Sequence, residues 1–405
     1  MRMAVIALFA ASVPAACAPK ASAPAAAAPA APAIAEPART ACLERAFEVA
    51  RRFPERAFIK DRAKYEGVVV DACLALGDVP AATAFADRSC FTWRRCESLA
   101  LVADRLAERG DADAARALAG RAMSELARLE EVRDWAAERV RATVAQVHLR
   151  LGDAAAAAAV MPADAPALQA ASLAFRAQVA PPSELGALAD AFDRGIATNA
   201  FDLARSGLDG YHAILRRAGG DGALRERAAK ALDAGIPGLP YDLQVEYRVR
   251  SAEAFGAIGL PGDARAQVGR ADEAFRAARF VAEDESPVGA RLAVAMDRFG
   301  DRAGAEATLA ALEASYRREV ASIVDIRRAR CLRSLAEAWA SLGDAARAQG
   351  LYADAVEAGA LNPNARPRAE DLCDTLVSMA RSGTPALPAV RARIDAIEAG
   401  LRDPW

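Results

Sequence analysis

The residues of this chain that could do acid–base, nucleophilic or metal chemistry are few and scattered. Only two histidines occur, His148 and His212. Neither has a second histidine or a cysteine at ligand spacing, so a zinc-type site lacks a donor set. No Gly-x-Ser-x-Gly and no His-Glu-x-x-His is present. The run GGDG at 219–222 has the glycines of a phosphate loop without its lysine and hydroxyl residue, and reads as a hairpin turn. AEDES at 282–286 gathers acid that could attract a cation or equally form a solvated helix start. These patterns imply no enzyme and no cofactor.

Two constellations speak of binding or stapling instead. Arginine recurs as Arg94 and Arg95, Arg139 and Arg141, Arg248 and Arg250, then Arg327, Arg328, Arg330 and Arg333. Guanidinium groups grip carboxylates at two points, so a ladder of them would suit an acidic or carboxylate-ended segment. The alternative is that they pair with Glu97, Glu138, Glu246 and Glu337, or cover helix C-terminal carbonyls. The cysteines fall into sequence-local pairs. Cys90 and Cys96 flank the reversal in DRSCFTWRRC, Cys331 and Cys373 lie one repeat apart, and Cys42 and Cys73 remain. Three disulfides or six packed thiols both satisfy this spacing.

The elements that must carry these residues are announced by a recurring dipeptide. Gly-Asp follows a helix-forming run at Asp78, Asp111, Asp153, Asp221, Asp263, Asp301 and Asp344. The successive intervals are 33, 42, 68, 42, 38 and 43 residues, the 68 spanning a weaker unit near PPSELGALADAFDRG. Glycine accepts the left-handed conformation that closes a helix, and aspartate caps the next one, so each dipeptide predicts the turn of a helical hairpin. Periods of this length indicate stacked hairpins.

Aligned on their glycines, the first helices share a buried stripe. Val102, Val144, Ala254, Leu292 and Leu335 fall eight residues before the glycine, with Ala103, Ala145, Phe255, Ala293 and Ala336 next to them. Leu106, His148, Ile258, Met296 and Trp339 lie four before it, which makes His148 a packing residue. Trp93 and Trp135 also coincide, each 17 residues ahead of its glycine.

The stretch AWASLGDAARAQGLYADAVEAGALNP resembles a tetratricopeptide repeat, with Trp339, Leu342, Gly343, Ala348, Tyr352, Ala355 and Pro363 as the interlocking residues. Pro363 comes about three residues late for that pattern, and several units exceed its usual length. The resemblance implies an all-α solenoid of about eight or nine hairpins, a right-handed superhelix whose first helices line the concave side. HEAT-type hairpins are the structural alternative.

Composition agrees with helices. Hydrophobic residues make up 54% but aromatics only 6%, the difference being alanine, which favours close-packed helices over sheets. A formal charge of −2 argues against a nucleic-acid partner.

At the N-terminus, Arg2 and the apolar run AVIALFAASV read as an export signal, too short for a membrane span. Cleavage after Ala15 and lipidation at Cys17 are the two processing routes. Ala15, Ala16 and Cys17 resemble the end of a bacterial lipobox, although Pro14 stands where that motif has leucine. The expected plan is therefore a signal at 1–17, an Ala/Pro-rich tether at 18–38 and a repeat domain at 39–405. At ~3.1 Å per residue the tether could reach roughly 60 Å. The expected function is a protein- or peptide-binding scaffold in the bacterial envelope, periplasmic and membrane-bound only through its lipid. A regulator or sensor of an envelope enzyme, acting by solenoid flexing, is the alternative.

Overall fold

Seven glycines take a positive φ among the described residues: Gly77, Gly110, Gly152, Gly259, Gly300, Gly343 and Gly383. Each closes a helix, because an L side chain at that angle would clash with its own carbonyl. At Gly343 (φ +82°) the next amide, Asp344 N, reaches back to Trp339 O at 2.9 Å, which is a Schellman closure. The Asp344 carboxylate then accepts from Arg347 N at 3.0 Å and caps the following helix. Asp78, Asp111, Asp153, Asp221 and Asp301 cap in the same way.

The structure is a computed structural model that describes residues 36–161, 166–198, 200–218 and 220–405. The expected export signal with Cys17, nearly all of the expected tether, and Gly219 lie outside the described residues. Helix α1 (Glu36–Arg51) begins within the last three residues of the expected tether. Eight hairpins follow in chain order: α2 (Glu55–Ala75) with α3 (Val79–Arg88), α4 (Trp93–Glu108) with α5 (Ala112–Ala127), α6 (Asp134–Arg150) with α7 (Ala154–Val160), α8 (Pro166–Val179) with α9 (Leu185–Ala197), α10 (Phe201–Arg217) with α11 (Gly222–Gly235), α12 (Tyr241–Ala257) with α13 (Pro261–Ala277), α14 (Ala282–Arg298) with α15 (Arg302–Glu319), and α16 (Asp325–Ser341) with α17 (Ala345–Ala360). Helices α18 (Ala365–Ser382) and α19 (Pro388–Ala399) end the chain. No strand occurs among the described residues. The fold is the expected all-α array, and the weak unit without Gly-Asp is the α8–α9 hairpin.

One turn differs from expectation. Gly262 and Asp263 are not a turn but the first residues of α13, and the positive φ belongs to Gly259. Pro261 explains the shift: its fixed φ suits the first helical position, so the helix starts there with Leu260 as its cap residue. The buried stripe of α12 therefore runs three residues earlier, through Ser251, Ala252 and Phe255. Elsewhere the first two columns hold, Val102, Ala103, Ala293, Leu335 and Ala336 being fully buried, while Leu106 and His148 of the third are half-buried.

The even-numbered helices pack side by side and run parallel. Arg291 and Arg298 of α14 pair with Glu246 and Glu253 of α12, seven residues further on both helices in the same direction. Arg139 and Arg150 of α6 pair with Glu97 and Asp104 of α4 in the same sense. All even helices therefore start on one rim, and all turn glycines lie on the other.

The array also closes on itself. Helix α18 packs directly on α2, where Arg366 meets Asp61 at 3.2 Å and lies over the Phe58 ring at 5.7 Å. Its main partner is α1, which runs antiparallel to it as the second helix of a ninth hairpin. Cys373 Sγ donates to Ala46 O at 3.4 Å, and the Arg39 guanidinium lies 2.8 Å from where a Cβ on Gly383 would stand. The C-terminus locks this seam: Pro404 O accepts from Ala365 N at 2.9 Å, and Trp405 packs on Phe53 with ring centroids 5.4 Å apart.

Candidate interaction surfaces

The ten arginines singled out from the sequence do not share one face, because successive helical residues are about 100° apart. Arg95 turns outward to Glu125 of α5 at 2.9 Å, and buried Arg248 to Gln267 of α13 at 2.9 Å. Arg94 pairs with Glu97 at 3.1 Å, and Arg139 Nε donates to the same carboxylate at 2.7 Å. Arg250 meets Asp209 at 2.7 Å, Arg328 meets Asp325 at 2.8 Å and Arg330 meets Asp284 at 3.6 Å. Arg333 is buried, bonded at 3.1 Å to both Asp371 and Asp374. Arg141 and Arg327 are exposed and have no side-chain partner among the described residues. The structure thus uses six of the ten to join neighbouring helices, while Arg94 and Arg328 pair within their own helices. Glu97 is the one expected partner that these arginines engage; Glu246 pairs with Arg291 instead, at 2.6 Å.

Of the two arrangements that the cysteine spacing allows, the described residues show the unpaired one. Cys42, Cys73, Cys90, Cys96, Cys331 and Cys373 all carry free thiols. Cys331 Sγ reaches Glu283 O, while Cys373 Sγ bonds into α1, so the two sulfurs serve different seams. The amide of Cys90 donates to Glu66 at 2.7 Å. Burial pushes the thiols of Cys73 and Cys90 up to about 12 and those of Cys96 and Cys331 up to about 11, as suits packed side chains rather than nucleophiles.

His212 is fully buried, with Nε2 at 2.9 Å from Ser251 Oγ and 3.2 Å from Tyr247 O. Burial, reinforced by Arg250 and Arg216, holds it neutral well below the usual imidazole range. His148 is half-buried in the last turn of α6. The acids Glu283, Asp284 and Glu285 form the first turn of α14, where they complement the helix dipole. Among the described residues no group of side chains could hold a metal ion, and no helix is long and apolar enough to cross a membrane.

Two surfaces remain that packing does not consume. The first is the rim where the even-numbered helices start. Phe91, Trp135, Phe201, Tyr241, Val281, Val324, Ile326 and Leu361 all lie in or beside the first turn of such a helix, and each is more than 40% exposed. Trp135 meets Trp93 edge-on, centroids 5.1 Å apart, fulfilling the sequence coincidence of the two tryptophans. Arg94 lies over Trp93 at 4.3 Å and Arg128 over Phe91 at 5.8 Å, so the crown is aromatic and arginine-rich. The opposite rim, built of Gly-Asp turns, exposes one large apolar side chain among the described residues, Leu387 before α19.

The second is the inner wall. Charges two helices apart act on one another there: Asp71 of α2 feels Arg139 of α6, and Arg216 of α10 feels Arg298 of α14. Such reach fits the concave side, where side chains converge. Asp71 is exposed, yet protein surrounds it closely, and burial with the nearby Glu97 carboxylate raises its pKa to about 6. Sequence reading missed Asp71, Arg216 and Arg298; of these only Arg298 has a sequence signal, standing two residues before its turn glycine as Arg150 and Arg381 do.

Comparison with protein-family models matches none of them, and a search of curated proteins likewise finds no match.

Proposed function

We infer that this protein is a non-catalytic interaction scaffold of the tetratricopeptide-like kind, docking a protein partner end-on through its apolar rim. The observation that carries this is the clustering on one rim of eight of the nine exposed large apolar side chains among the described residues, Leu387 before α19 being the exception. Contiguous exposed apolar surface of this sort marks interaction sites, and Trp, Tyr and Arg are the residue types that dominate binding energy when a partner dries them. The inner wall, first expected to grip a segment with an arginine ladder, spends most of those arginines on its own seams.

The setting that suits the N-terminal sequence is the bacterial envelope, with export through residues 1–17 and anchoring at Cys17. Helix α1 starts beside Gly383, on the Gly-Asp rim. A tether arriving there would leave the apolar rim pointing away from the membrane. Mass measurement of the mature N-terminus tests this part: a diacylglyceryl-modified Cys17 supports it, and an unprocessed Met1 removes it.

Docking is tested in cells with a photo-crosslinking residue placed singly at Trp135, Tyr241 or Ile326, and for comparison at Ala155 beside a Gly-Asp turn. One discrete adduct from the rim positions and none from Ala155 is expected. Equal labelling from both rims, or none from either, overturns the reading. Trp135→Ala with Tyr241→Ala should weaken the identified partner's binding at least tenfold, with the helical circular dichroism unchanged.

A further inference from the structure

On the seam between α16 and α18 one positive charge serves two negative ones. Arg333 is buried, and its guanidinium donates to Asp371 Oδ1 and to Asp374 Oδ2, each at 3.1 Å. The two carboxylates are not alike. Asp374 keeps 35% of its side chain exposed, so water can solvate its charge, whereas Asp371 keeps only 10%. Oδ2 of Asp371 is cut off from solvent and has no hydrogen-bond partner among the described residues.

The donors beside that oxygen are engaged elsewhere. Thr375 Oγ1 gives its proton to Asp371 O at 2.6 Å, and Arg368 turns to Asn362 O and Pro363 O at 3.0 Å and to Gly400 O at 3.1 Å. The small cavity that Asp371 lines between α17, α18 and α19 has Val356, Leu372 and Ile397 among its apolar walls. Gly359 of α17 admits the carboxylate, since a Cβ there would stand 2.8 Å from Asp371 Cβ. The charges around it are few. Helix α16 brings Arg333 with Glu337 behind it, α18 itself adds Arg368, Glu370 and Asp374, and α2 brings the Tyr65 hydroxyl on the side of Asp374 and Glu370. The side of α18 that meets α1 carries Cys373 instead.

A buried carboxylate oxygen without a donor favours the neutral acid, and two carboxylates on one guanidinium disfavour the second ionisation. Both effects fall on Asp371, the more buried of the pair. A proton on Oδ2 leaves Oδ1 with Arg333 and balances the seam at one charge of each sign. We propose that Asp371 is a proton-binding site that makes the α16–α18 seam an acid-tightened clasp, holding the last hairpin of the ring more firmly as the surroundings acidify. Burial raises the Asp371 pKa to about 6, with Asp374 and Glu370 adding to it and Arg333 opposing. That value lies above the roughly 3.9 of an unfolded aspartate, so the stabilisation is present at low pH and is lost as pH rises through about 6.

The test is hydrogen exchange of the full chain at pH 7.5 and pH 5.5, read by mass spectrometry and corrected for the intrinsic exchange rate at each pH. Protection of the α18 amides relative to those of α4 should rise about fourfold on acidification, the change that a shift from roughly 3.9 to about 6 produces over this range. Helices α10 and α12, which enclose His212, should not share the rise, because that group acts with the opposite sign. Asp371→Asn keeps an acceptor for Arg333 without the charge, so α18 should be equally protected at both pH values. Asp354→Asn, on the exposed face of α17, should keep the full slope. Equal α18 protection at both pH values in the unmodified chain, or an unchanged slope in Asp371→Asn, overturns the proposal. Should Asp371→Asn lose helical circular dichroism, the slope of the unmodified chain decides alone. Neither outcome bears on rim docking, which is read from crosslinks elsewhere.

Discussion

At Gly343 and Asp344 two residues perform two separable tasks. Alanine at 343 would be forced into a left-handed conformation, costing about 1–2 kcal/mol. Alanine at 344 would lose only the cap, about 1 kcal/mol. Chemical denaturation should rank Gly343→Ala as the more damaging, and an equal or reversed order would contradict this division of roles. Two titrating residues act with opposite sign. Asp71 has a folded pKa of about 6, above the roughly 3.9 of an unfolded aspartate, so its charge costs stability at neutral pH and the cost fades as pH falls through 6. Asp71→Asn should therefore raise the melting temperature at pH 8 and leave it nearly unchanged at pH 4. His212 has a folded pKa below its usual 6.5, so the unfolded chain takes up a proton that the fold refuses, and stability drops as pH falls below about 6.5. His212→Gln, which can still donate to Ser251 or Tyr247, should flatten that acid limb in melts taken between pH 5 and 7.

At the scale of elements, the inner helices are joined by alanine-rich contacts and by ion pairs between neighbours. Arg333 is the most consequential of these, buried on α16 between Asp371 and Asp374 of α18. Replacing it with alanine would leave two carboxylates facing each other in a low-dielectric seam, a loss of about 3–5 kcal/mol. Urea unfolding measures this, and a loss below 1 kcal/mol would mean that the pair is solvated. Tyr352 braces α17 to α18 through Ser378 and Ser382 at 2.8 and 2.9 Å, and Trp339 bonds Glu313 of α15. Of the repeat residues noted in the sequence, Trp339, Leu342, Ala348, Tyr352 and Ala355 are thus buried where two hairpins interlock.

At the scale of the molecule, closure alters what the ends do. In an open array the first helix frays because one flank is bare; here α1 is covered by α18 and α19, with Arg45 bonded to Asp395 and Glu398. Phe53 sits at the centre of the seam, 1% exposed, stacked on Tyr65 and touching Trp405. Phe53→Ala should cost about 3–5 kcal/mol. Hydrogen exchange should show α1, the start of α2 and α18 losing protection together while α8 to α12 keep theirs. Loss confined to α1 would indicate an array with independent ends.

The hairpins themselves were legible in the sequence because a turn is local: glycine's φ and aspartate's cap act within five residues, and a helical stripe within fifteen. Even the misplaced turn at Gly262 had a local cause in Pro261. Ring closure, the sorting of arginines between seams and wall, and the meeting of Asp371 and Asp374 with Arg333 were decided only by tertiary structure. They depend on the angle each hairpin adds to the last, summed until Cys373 meets Ala46 327 residues away in sequence, and no short window of sequence records that sum.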